Sequence, residues 1–197
     1  MKTNTSEAYT FKKEVVFSFY KGMLISLLLA LIWLLVHSAI LYFYQKNFSF
    51  FIQAIKQSIF NPIFFILVIF AGIIVQEIIK ALLLYAMAGV KFNRMKAGFS
   101  LTTFMPYVES NYPVTILTYR LLLFVPCLAT IQLVWLSYIA NLHEWLFITT
   151  VWIFFCSFDI ITLVKLKNYN ENMLVATHPD RPGVLLYDNP FKSEEQE

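Results

Sequence analysis

From Pro62 to Ala88 the chain is almost unbroken hydrocarbon, and its strongly polar side chains are crowded into one place, Gln76, Glu77 and Lys80. A run of this length constrains the fold more than any other feature. About 20 predominantly apolar residues cross a bilayer, and inside it backbone polar groups must be satisfied within the segment, so the run is read as a membrane helix. Three more runs behave alike, at about Met23–Tyr44, Val114–Ile139 and Trp145–Leu166. The expected fold class is therefore an all-α integral membrane protein with about four transmembrane helices. Hydrophobic residues make up 59% of the 197 and charged ones only 14%, with a mean hydropathy of +0.66. Soluble domains carry nearly twice that share of charge.

Orientation follows from the cations. Lys2, Lys12, Lys13 and Lys21 precede the first run, Lys91, Arg94, Lys96 and Arg120 flank the loop after the second, and Lys165, Lys167, Arg181 and Lys192 follow the fourth. Only Lys46 and Lys56 fall in the other loops. The positive-inside rule then places both termini in the cytoplasm. This bias accounts for the net charge of +3 without nucleic acid. The first run is too long for a signal-peptide core, and no small-residue cleavage site follows it. Cys127 and Cys156 lie inside runs, where they read as small packing residues rather than a disulfide framework.

The chain divides into a cytoplasmic arm (1–21), a membrane domain (22–166) and a cytoplasmic tail (167–197). Lys12, Lys13 and Lys21 alternate with Phe11, Val15, Val16, Phe17 and Phe19, a pattern for a segment on an anionic membrane surface or a plain topology anchor. Residues 45–61, with Phe48, Phe50 and Phe51, form a short outer loop and an interfacial helix. Between the second and third spans, Ala97 to Val108 is rich in β-branched and aromatic residues and contains Pro106, which predicts a short hairpin or re-entrant segment. In the tail, His178-Pro179-Asp180-Arg181-Pro182-Gly183 predicts a fixed turn.

Glu77 and Lys80 are three residues apart and share a helix face. Lys80 precedes Gly89 by nine residues, or about 13 Å of helix, and Asp159 precedes Lys165 by six, or about 9 Å. A long lysine closes that difference by snorkelling, so the three charges are expected to meet. A lone Lys or Asp at a bilayer centre is charged about 2.5–3.5 kcal/mol, which favours pairing and makes such residues functional candidates. A salt bridge that only locks two helices is the simpler reading.

Four segments together resemble the zincin peptidase family, a domain-of-unknown-function group of small bacterial inner-membrane proteins. Gln76-Glu77-Ile78-Ile79-Lys80 has the spacing of that family's His-Glu-x-x-His helix. Gly98-Phe99, then Pro106-Tyr107-Val108-Glu109-Ser110, Pro113 and Tyr119-Arg120, resemble its loop. Phe158-Asp159-Ile160 resembles its Gly-Asp-hydrophobic element, and His178-Pro179 through Pro182-Gly183 its tail. The resemblance covers about residues 70–187. It implies a core similar to site-2-type intramembrane proteases, in which two His and a distant carboxylate hold zinc and the motif Glu is general base. Carried over, Glu77 matches the base and Asp159 the distant ligand. Gln76 and Lys80 stand where the histidines belong, and Glu109-Ser110 where a His-Cys pair belongs. An ammonium has no lone pair for a metal. No metal is therefore expected, Glu77 is a vestigial base, and Gln76, Lys80, Glu109 and Asp159 are binding residues. His37 and His143-Glu144 are read as lying away from the cluster.

The expected function is that of a catalytically inactive protease relative that binds another membrane protein or peptide. An active membrane metallopeptidase built on Glu77, Glu109, Asp159 and His178 is one alternative. That oxygen-rich set suits a harder ion than zinc. A small carrier using Glu77, Lys80 and Asp159 as a relay is another, although the otherwise apolar second run argues against a continuous water path.

Overall fold

A computed structural model of the chain describes residues 9–46, 49–100, 105–140, 145–178 and 181–189. Phe48, His143, Glu144, Pro179 and Asp180, and the stretch 101–104, lie outside the described residues. Among these residues five helices follow the apolar pattern: α1 (Phe19–Gln45), α2 (Ser49–Phe60), α3 (Pro62–Ala88), α4 (Ile116–Ala140) and α5 (Trp145–Leu166). Among the described residues α1, α3 and α5 contain stretches long and apolar enough to cross a membrane. The corresponding apolar stretch of α4 is shorter, Ile116–Gln132.

The chain is mostly helical, with the expected hairpin between α3 and α4, but it is not purely all-α. Among the described residues six strands, β1 (Phe11–Val16), β2 (Met95–Ser100), β3 (Met105–Ser110), β4 (Val114–Thr115), β5 (Leu174–Thr177) and β6 (Gly183–Tyr187), form two antiparallel sheets. One has the order β1-β6-β5-β4, and the other is the β2-β3 hairpin. The N-terminal segment is thus not a free surface arm, and the tail is not merely a turn. Glu14 pairs with Leu185 and Val15 with Val184, which turns Val15 into a core with Ile116, Leu166, Val175, Val184 and Leu186. Six alternating residues are too few to separate a strand from an amphipathic helix by pattern alone. The partner strand settles it, and that partner lies about 170 residues away.

The sheet joins the segment before α1, the segment before α4 and the segments after α5. All three helix ends therefore lie at the same end of the bundle. α5 is the central helix and packs against α1, α3 and α4. Lipid-type side chains cover the outside of α1 and α3, where Leu24, Leu28, Leu31, Ile66, Leu67 and Phe70 are exposed. Proline begins α3 where no intrahelical N–H is needed. Gly89 ends it at φ 62°, and the Val90 N–H donates to the Leu84 carbonyl.

Two contacts hold α5 in place. Its Trp152 indole lies directly on Gly72 of α3, and the indole N–H donates to the Ile69 carbonyl at 3.1 Å. A Cβ at residue 72 would collide with that ring. At the other end, one guanidinium nitrogen of Arg120 donates to the carbonyls of Leu166, Lys167 and Tyr169, and the second meets Glu171 at 3.0 Å. A cation there satisfies the last carbonyls of α5 and complements its dipole. His37 is buried in α1 with Trp33 edge-on to it, and both cysteines are free and buried.

Gly72→Val should lower stability by about 1–3 kcal/mol through overpacking. Thermal unfolding in detergent would show this, and the loss should shrink on a Trp152→Leu background. Arg120→Ala should lower it by about 2–3 kcal/mol, the scale of hydrogen bonds to a charged group. Arg120→Lys should not restore it, because one ammonium cannot span the fork. Equal unfolding temperatures for Arg120→Lys and wild type would refute the capping role.

Candidate functional site

The three charges meet. Lys80 Nζ lies 2.8 Å from Glu77 Oε1 and 2.8 Å from Asp159 Oδ2. Helical spacing brings Glu77 and Lys80 onto one face of α3, and the packing of α5 presents Asp159 to the same ammonium. The side chains are 12%, 16% and 23% exposed for Glu77, Lys80 and Asp159, so solvent screening of the pairing is weak. The second Glu77 oxygen, Oε2, accepts the backbone N–H of Val108 in β3 at 2.9 Å. One carboxylate thereby ties a transmembrane-length helix to the hairpin.

Around this cluster is a cavity of about 550 Å³. The ends of α3, α4 and α5 form one side and the hairpin and β5 the other. Glu109, Tyr107, Tyr119, Thr177, His178 and Arg181 all contribute to its wall.

The remaining sequence candidates are dispersed within it. Gln76 is buried and donates through Nε2 to Thr130 Oγ1 of α4 at 2.9 Å, and Thr130 in turn donates to the Pro126 carbonyl. Glu109 pairs across the hairpin with Lys96 and lines the cavity together with Thr177. Burial pushes its carboxyl above the usual range, while Lys96 and Thr177 pull it down. Ser110 accepts the Tyr112 N–H and shapes the turn into β4. His178 is held on both sides, with Nε2 3.0 Å from Glu14 Oε1 and Nδ1 accepting the Arg181 N–H.

These residues do not fit a zinc ion. The ammonium of Lys80 occupies the point on which Glu77 and Asp159 converge, and among the described residues no three His, Cys, Asp or Glu side chains gather to hold a metal. Thr130, Thr177, Val108 and Glu14 escape sequence reasoning. Only Val108 leaves a trace, through Pro106 two residues earlier, which marks that edge of β3 as one not needing every N–H.

No protein-family model, curated protein or solved structure matches the chain.

Removing one partner from a buried ion pair typically costs about 3–5 kcal/mol, because the other charge stays behind. Lys80→Ala should therefore reduce the folded yield from membranes well below that of Lys80→Arg, measured by fluorescence-detected size exclusion. Equal yields would count against an essential ammonium.

Proposed function

We propose that this chain is a multi-span membrane protein with a zincin-like core that has given up catalysis and works by binding a membrane partner. The observation that carries the reading is the placement of Lys80. Its ammonium bonds both carboxylates that the resemblance assigns to base and metal ligand. A tethered cation there pairs both carboxylates with one charge where a zinc ion would bring two, and it offers no Lewis acidity and no site for an activated water. Gln76 turns to Thr130 and His178 to Glu14, so neither reaches the carboxylates as a substitute ligand. The cavity beside the triad, walled by tyrosines and by charges of both signs, has the size and chemistry of a binding pocket. The cation distribution supports a cytoplasmic side for both termini and for this cavity, and the resemblance suggests a bacterial inner membrane. In this reading α4 crosses as a fourth span, since α5 must return to the sheet end at which α4 begins.

Metal content of the purified protein, by mass spectrometry, tests the reading. The expected result is no stoichiometric transition metal in wild type, Glu77→Ala or Asp159→Ala, and no hydrolysis of membrane-anchored peptide by wild type. Stoichiometric zinc that disappears in both variants would restore the metallopeptidase alternative and remove this one.

A further inference from the structure

Among the described residues the hairpin leaves one strand edge unpaired beside the apolar length of α3. In an antiparallel ladder alternate residues turn their N–H and C=O groups outward. The Asn111 N–H donates to the Arg94 carbonyl, and with the register of β2 on β3 this turns Met95, Ala97 and Phe99 outward on β2, and Pro106, Val108 and Ser110 outward on β3. On the β3 edge Pro106 has no N–H and that of Val108 is taken by Glu77. On β2 the Met95 N–H bonds the Phe92 carbonyl. Among the described residues Ala97 and Phe99 make no backbone bond outside the hairpin, and Lys96 to Phe99 are exposed.

Depth follows from the same contacts. Glu77 lies twelve residues before Gly89, about 18 Å along α3. The base of the hairpin, at Met95, packs near Leu84 and Val90, and Val108 reaches Glu77. The hairpin therefore runs back along α3 toward its apolar middle. In hydrocarbon each unmatched backbone group costs several kcal/mol, and lipid offers it no partner.

We propose that β2 pairs with β2 of a second copy of this chain, antiparallel about Ala97, making a continuous four-stranded sheet β3-β2-β2-β3 across a two-fold axis. The strand is self-complementary in this register. Ala97 faces Ala97, Lys96 faces Gly98, and Met95 faces Phe99, a favourable sulfur–aromatic pair. Of the outward groups, the two Ala97 residues exchange both bonds and each Phe99 N–H meets a Met95 carbonyl. Shifting the axis to Lys96 would oppose two like charges, which selects against that register. A contact made by the same patch on both copies closes on itself, so the assembly stops at a dimer.

The test uses two differently tagged full-length copies co-expressed in one membrane and solubilised together, with co-purification as the readout. Wild-type copies should co-purify, and Ala97→Cys copies should cross-link to each other under mild oxidation. Ala97→Lys in both copies should reduce co-purification about tenfold or more, as should Ala97→Glu in both, because like charges then meet on the axis. One copy of each variant should recover it to within about threefold of wild type, which shows that both variants fold. Wild-type copies that stay separate, like-charged variants that pair as wild type does, or a mixed pair that does not recover would overturn the proposal. So would an Ala97→Cys cross-link to a different polypeptide, which would give the edge to another partner.

Discussion

An ammonium between two carboxylates, most of the way out of water, is the interaction on which the arrangement turns. Each of the three charges would be expensive alone in this environment. Together they tie α3 to α5, and the spare oxygen of Glu77 extends the tie to β3. The hairpin therefore does not simply rest against the bundle. Its position is set by the same carboxylate that Lys80 holds, so electrostatics in the helix core and geometry at the cavity wall are one system. Replacing such a group by packed hydrocarbon is often neutral or better for stability, which makes placement, rather than strength, the property that this triad supplies.

The rest of the bundle is arranged so that α5 can carry Asp159 to that point. Gly72 lets the Trp152 ring approach the α3 backbone, which fixes the two helices face to face within about two turns of the triad. Arg120 closes the opposite end of α5 from α4, and the sheet core of Val15, Ile116, Leu166 and Val184 seals the same end from outside. Gln76 and Thr130 find each other across helices, while Thr150, Ser157 and Thr162 turn back to carbonyls of their own helix.

How much of this could be read from the residues depended on the range of the interaction. Bounds for α3 and α5 coincide with the apolar runs at Pro62–Ala88 and Trp145–Leu166, because solvent exclusion acts on every residue of a span. The hairpin was legible from Pro106 and the β-rich stretch around it. The meeting of Glu77, Lys80 and Asp159 followed from depth and the expense of unpaired charge. The four-stranded sheet did not follow, since β1 and β6 are short and their evidence for each other is complementarity over nearly the whole chain. Gln76 was placed with the site on motif spacing, yet its partner is Thr130, one unremarkable hydroxyl in an apolar helix.

The strand order β1-β6-β5-β4 also sets a timetable. β1 comes before every helix and β6 after all of them, so the first strand has no partner until the last helix is in place. Closing a loop of that length costs only a few kcal/mol of entropy, because the penalty grows with the logarithm of length, but it is slow relative to local helix formation. The helices can therefore insert and pack while the cap is still open. β5 and β6 can take their places on β4 first, and β1, joining at the β6 edge, then closes the cap as a clasp over a finished bundle.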